Sequence, residues 1–180
     1  MSIKIGINGI GRMGRLTLRV LCEQPDVRIV QINDPVADAA THAHLMNFDS
    51  VHGRWQREAT SVNETLIIGD QRVAVTANTA ISATDWSGCD VVIEASGKMK
   101  TRALLQAYLD QGVERVVVTA PVKDEGVLNV VMGVNDHLYD PARHHILTAA
   151  SCTTNCLAPV VKVIHEQLGI RHGSMTTIHS

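Results

Sequence analysis

Two cysteines, three glycines and one acid are the residues whose types and spacing suggest chemistry. The stretch "ASCTTNCLAP", residues 150–159, sets Cys152 and Cys156 four positions apart with hydroxyls and an amide between them. A metal clip would need two further ligands at workable spacing, and none is offered. A disulfide is disfavoured because helical i,i+4 spacing leaves the two sulfurs apart. Ser151 is a good helix cap, which puts Cys152 in a first turn. There, unsatisfied N–H groups and the positive end of the helix favour a thiolate. Cys156 lies a turn deeper and is expected to be a small core residue. Pro159 lacks a donor and is expected to bend or loosen these turns. A lone cysteine at a helix start is more often inert than catalytic, and a catalytic one needs a base. Of the nine histidines, His42 and His44 diverge on a helix and His144 and His145 fall in a loop. His165 lies far along the helix of Cys152. His179, ending an apolar strand, is the best placed.

The second group is "GINGIGRMG", a G-x-G-x-x-G pattern at Gly9, Gly11 and Gly14. It falls between an apolar run, "IKIGIN", and a segment of helical periodicity, the context that gives the pattern meaning. Gly9 allows the tight turn, Gly11 has no side chain to block a pyrophosphate, and Gly14 lets helix and strand pack closely. The helix N-terminus then faces the anion. Asp34 stands 20 residues beyond Gly14, where a carboxylate accepts from ribose hydroxyls and repels a 2'-phosphate, favouring NAD over NADP. The plainer alternative is a tight βα turn with Asp34 solvated. The agreement of glycines, strand, helix and acid favours the nucleotide. Arg12 is placed to reach phosphate or to sit in solvent.

The elements that must position these residues alternate. Strands are expected at residues 3–8, 27–33, 91–95, 115–119, 130–134, 145–149 and 173–179, with a hairpin at 66–76. Helices are expected at 12–23, 37–48, 101–111 and from 152 to 168. Strand, glycine turn, helix and strand in the first thirty-odd residues make a βαβ unit. The expected fold is therefore α/β, a Rossmann-type doubly wound, mostly parallel sheet. No internal repeat or low-complexity linker interrupts it.

The whole composition agrees. The chain is 45% hydrophobic and 19% charged, enough for a packed core. A net charge of -2 with no basic stripe argues against nucleic acid. Aromatics at 3% argue against a base-stacking platform. No apolar run is long enough to span a membrane, and no signal peptide is read at the N-terminus. Four cysteines without an export signal read as reduced thiols, so a cytoplasmic location is expected.

The segments "INGIGRMGR", "INDP", "HLMNFDSVHGRW", "VVIEASG", "VMGVN", "ASCTTNCLAPVVKVIHEQLGI" and "MTTIH" together resemble phosphorylating glyceraldehyde-3-phosphate dehydrogenase. The resemblance is in register from Ile3 to the end of the chain. "SCTTNCLAP" is its most specific part. It implies that Cys152 is the nucleophile that adds to the aldehyde, and that His179 activates it and takes the hydroxyl proton as hydride leaves for NAD. Phosphate then cuts the thioester to an acyl phosphate. Ser151 and Thr153 match residues that bind phosphate or substrate. Asn8, Gly9, Gly11, Arg12 and Met13 match the pyrophosphate turn, Asp34 the ribose ligand, and Ser96, Gly97 and Thr119 strand-end contacts to the cofactor. The enzyme so implied serves glycolysis, uses no metal, and forms a homo-oligomer at full length.

The sequence also departs from the family. "TANTAI" replaces an arginine-bearing stretch near the adenine, with Asn78 at the arginine's place. Asn47 and Phe48 replace a lysine and a tyrosine. Such divergence is similar to that of the branch associated with arsenic resistance, which would take arsenate as acyl acceptor. The chain ends one residue after His179. The resemblance therefore implies an NAD-binding domain at 1–150 and a truncated substrate domain at 151–180, represented by its first helix and strand. Two other expectations stand beside the enzyme: a non-catalytic NAD-binding module, and an interaction fragment whose exposed apolar strand another chain covers.

Overall fold

The computed structural model describes residues 2–178. In chain order it contains β1 (Ile3–Asn8), α1 (Arg12–Leu21), β2 (Val27–Asn33), α2 (Ala39–Asn47), β3 (Phe48–Asp49) and β4 (Gly53–Arg54). Then come β5 (Ala59–Val62), β6 (Thr65–Ile68), β7 (Gln71–Thr76), β8 (Val91–Glu94) and α3 (Arg102–Leu109). β9 (Arg115–Val118), β10 (Leu128–Asn129), β11 (Ile146–Thr148) and α4 (Cys152–Leu168) complete it. Nine strands form one sheet in the order β10-β11-β9-β8-β1-β2-β7-β6-β5. Pairing is parallel from β10 through β7, and antiparallel at β7–β6 and β6–β5.

β1 sits between β2 and β8, so the chain leaves it in one direction and later returns on its other side. Strand order reverses there, and in doubly wound sheets a crevice opens at the carboxyl ends of such a pair. Alternation along β9 separates two cores. Val116 and Val118 face a cluster with Trp86, Leu105 and Tyr108, while Val117 faces one with Ile7, Leu18 and Met46. The first core is closed by α3, where Trp86 and Tyr108 pack edge to face at 5.3 Å. The second is closed by α1 and α2. The expected doubly wound α/β architecture is the one that forms.

Three expectations are corrected. Residues 130–134 are not a strand. β10 ends at Asn129, and the chain then turns because Asn135 Oδ1 accepts from Val131 N at 2.7 Å and Asp136 Oδ1 from Gly133 N at 2.7 Å. Side-chain bonds of this kind compete directly with a ladder. Residues 173–178 form no strand, since no described strand lies beside them to pair with. Cys156 is exposed, not in the core. No residue of α4 is buried, and its apolar side chains stay open, with Val160 at 56% and Val163 at 60% of full exposure. α4 also continues through Pro159 to Leu168 and ends at Gly169, whose φ of +76° suits glycine.

Candidate functional site

A cleft of about 170 Å³ opens at the carboxyl ends of β1, β2 and β8, lined in part by Asn8, Gly9, Gly11, Asp34, Asn78 and Ser96. Gly9 turns the chain out of β1 with φ +88°, and a Cβ there would come within 2.5 Å of Ser96 N. Only glycine allows that approach. A Cβ on Gly14 would collide with the Gly9 carbonyl oxygen, so this glycine lets α1 start against the turn. A Cβ on Gly11 would meet nothing within 4 Å. Gly11 is therefore absent of side chain on the cleft side, where a bound group can approach the backbone. It is also the N-cap of α1, with no side chain capping the helix.

Asp34 is buried and held from two sides. Its Oδ2 accepts from Ile10 N at 2.8 Å and its Oδ1 from Val36 N at 2.8 Å. Each oxygen keeps a second lone pair, so the carboxylate can still accept from hydroxyls at the cleft. Asn78, after the neighbouring strand β7, also lines the cleft. Its Nδ2 donates to Ala83 O and Thr84 Oγ1, each at 2.9 Å, and its backbone is tied to the Asn33 amide. The side chain thus shapes a loop and carries no charge. These residues fit a dinucleotide: an open helix start for the diphosphate, a fixed acid for a ribose, and an uncharged wall beyond.

A second group lies at the start of α4. Ser151 Oγ accepts from Thr154 N at 3.0 Å, confirming the cap, and shares bonds with Thr153 Oγ1 at 2.9 Å and Thr154 Oγ1 at 2.7 Å. Asn155 Nδ2 ties the turn to Ala149 O at 2.7 Å and Ser151 O at 2.9 Å. Cys152 is the first helical residue and is exposed. The residue before the cap, Ala150, is buried with φ +54°, an uncommon conformation for a residue with a Cβ. The helix start is thus fixed although the helix body is uncovered.

Family comparisons match this layout. The family model for the NAD-binding domain of glyceraldehyde 3-phosphate dehydrogenase matches residues 3–102, and that for its C-terminal domain residues 151–180. The chain belongs to the glyceraldehyde-3-phosphate dehydrogenase family. It is 52% identical over 181 aligned positions to glyceraldehyde-3-phosphate dehydrogenase 3 of Nostoc sp., covering 99% of this chain and 53% of that protein. It is 43% identical to the Geobacillus stearothermophilus glyceraldehyde-3-phosphate dehydrogenase, covering 100% of this chain and 54% of that one. The Streptomyces coelicolor protein of the same name is 42% identical, with the same coverage of 100% and 54%. The chain spans about half the length of these curated relatives.

Of the residues expected in the site, the structure gathers Asn8, Gly9, Gly11, Asp34 and Ser96 in one cleft. Arg12 and Met13 are exposed in the first turn of α1, outside the cleft lining. Gly97 follows Ser96 with φ +71°, and Thr119 is tied to Glu94 O through its N–H at 2.9 Å. Cys152, Ser151 and Thr153 form the separate group on α4, and His179 lies outside the described residues. Among the described residues no cluster could hold a metal ion, and no helix is long and apolar enough to cross a membrane. Sequence reading passed over Glu94 and Asn33. Their signal was present, since each is a polar residue ending an apolar strand, as Asp34 is one position beyond β2.

Proposed function

We propose that this chain supplies the NAD site and the nucleophile of a phosphorying NAD-dependent oxidation of glyceraldehyde 3-phosphate. The boundary between its parts falls at residue 150, where the last strand of the sheet gives way to the helix of Cys152. The observation that carries the reading is the cleft beside β1, with Gly11 open, Asp34 fixed by two amides, and a thiol at a capped helix start elsewhere on the same chain. In this reading Asn8, Gly9, Gly11, Arg12 and Met13 receive the diphosphate. Asp34 accepts from the adenosine ribose, and Ser96, Gly97 and Thr119 make strand-end contacts to the cofactor.

Cys152 Sγ adds to the aldehyde carbon, forming a C–S bond as the carbonyl π bond opens and its oxygen takes a proton. His179 then accepts the hydroxyl proton as hydride leaves that carbon, giving a thioester. When bound, NAD supplies the hydride acceptor. An oxygen of inorganic phosphate, or of arsenate in the divergent branch, attacks the thioester carbon, the C–S bond breaks and the thiolate is restored. Ser151 and Thr153 hydroxyls hold the anion beside the sulfur. The full-length protein acts as a homo-oligomer in the cytoplasm. Two exposed unpaired thiols, Cys152 and Cys156, support a reducing compartment.

A second reading is a non-catalytic NAD-binding module, favoured by one observation: the helix of Cys152 has no buried residue. Calorimetry with NAD and an NADH-formation assay with aldehyde and phosphate separate the two. Binding with turnover that disappears in Cys152→Ser supports the enzyme. Binding without turnover supports the module. Replacing phosphate by arsenate in the same assay identifies the acceptor.

A further inference from the structure

Glu94 ends β8, is 1% exposed, and forms no ion pair among the described residues. Four donors converge on it. Asn8 Nδ2 at 2.7 Å and Tyr108 Oη at 2.6 Å reach Oε2, while Ser96 N at 2.8 Å and Ser96 Oγ at 2.5 Å reach Oε1. Burial, and next the negative carboxylate itself, push the Tyr108 phenol well above its ordinary value, so it remains a donor. A carboxylate without a cation is costly to bury unless hydrogen bonds satisfy it, and an apolar side chain would fill the space at lower cost.

The bonds extend across the sheet. Glu94, Asn8, Asn33 and Thr76 are register partners on the adjacent strands β8, β1, β2 and β7. Thr76 Oγ1 donates to Asn33 Oδ1 at 2.8 Å, Asn33 Nδ2 to Asn8 Oδ1 at 2.8 Å, and Asn8 Nδ2 to Glu94. Along the row each side chain donates toward the carboxylate, and Asn33 Nδ2 also donates the other way to Asn78 O at 2.9 Å. An amide side chain can flip, and reversing this one would face donor with donor. The carboxylate therefore selects the orientation of Asn8, and Asn8 Oδ1 together with the Asn78 backbone selects that of Asn33. Asn33 Oδ1 in turn receives Asn78 N at 2.8 Å, which seats the Asn78 loop at the cleft.

We propose that Glu94 is the positioning residue of the cofactor cleft, the terminal acceptor of a hydrogen-bonded row across four strand ends that fixes how Asn8, Ser96 and the Asn78 loop face the dinucleotide. The proposal rests on the NAD-binding reading. Glu94→Gln keeps the shape but replaces one acceptor oxygen by an NH2 group, which meets a donor-only partner in either orientation, Asn8 Nδ2 on one side or Ser96 N on the other.

The test titrates NAD into the full gene product by calorimetry, beside circular dichroism and NMR of the side-chain amides of Asn8 and Asn33. Wild type should bind NAD and show both amides as dispersed, slowly exchanging signals. Glu94→Gln should bind at least tenfold more weakly with its secondary structure kept, and the two signals should lose their dispersion. A purely structural role would lower melting temperature and leave affinity of the folded protein unchanged, and that result overturns the proposal. Should Glu94→Gln fail to fold, Tyr108→Phe takes its place. It removes one donor and leaves the carboxylate, and should weaken NAD severalfold; unchanged affinity refutes the idea. Wild-type protein that does not bind NAD defeats the cofactor reading and this proposal together, whereas equal binding by wild type and variant defeats this proposal alone.

Discussion

Gly14, in the first turn of α1, sits directly against the Gly9 carbonyl oxygen, leaving no room for a Cβ. Gly11, between them in sequence, has empty space where a Cβ would go. The two positions therefore separate packing from binding. Gly14→Ala should destabilise the protein by more than about 3 kcal/mol, because the helix start must move off the turn. Gly11→Ala should change stability by no more than about 1 kcal/mol and weaken NAD binding markedly. Chemical denaturation and calorimetry on both variants check the pair.

His42 on α2 is buried, and among the described residues neither ring nitrogen has a partner of good hydrogen-bond geometry, the Ala37 backbone giving only a weak contact that favours the charged ring. Burial holds its pKa below the ordinary 6.5, partly opposed by the negative charge of Asp34. The unfolded chain thus takes up a proton at a higher pH than the folded chain does. Stability should be full above about pH 7 and should fall as pH drops through the unfolded value near 6.5. His42→Leu removes two unsatisfied buried nitrogens and should stabilise by about 1–3 kcal/mol. It should also flatten the decline between roughly pH 7 and 5. Urea denaturation of both proteins across that range decides it.

The four thiols should react in two classes. Cys22 and Cys89 are buried, and burial raises each to about 11. Neither should be alkylated near neutral pH until denaturant is added. Cys152 and Cys156 are exposed and should be modified in the folded protein. Peptide mass mapping after brief alkylation, with and without urea, reads out both classes. Labelling of Cys22 or Cys89 in the native protein would contradict the core described above.

Ser151 closes the start of α4 by accepting from Thr154 N. Ser151→Ala should cost about 1 kcal/mol of stability. It should also reduce turnover of the full gene product while leaving NAD affinity unchanged, because the cap and the cleft are separate groups. Equal turnover in variant and wild type would remove Ser151 from the proposed substrate site.

Much of this was legible in the chain itself. The glycine spacing, the apolar strands on either side, Asp34 and the Ser151 cap are local signals, since each depends on backbone geometry within a few residues. The strand expected at 130–134 was misread for a reason of the same scale. Its valines favour a strand, yet the Asn135 and Asp136 side chains claim the backbone donors that a ladder needs. Cys156 was misplaced because an apolar helix face implies a partner but does not provide one.

Sequence alone determined the strand–turn–helix that opens the cleft and the capped start beneath Cys152, because both follow from what neighbouring residues allow the backbone to do. Tertiary structure alone decided that Glu94, Asn8, Asn33 and Thr76, up to 86 residues apart, end side by side in one register row. Their order is set by which strands pair, and a hydrogen bond between distant strand ends has no counterpart in local spacing.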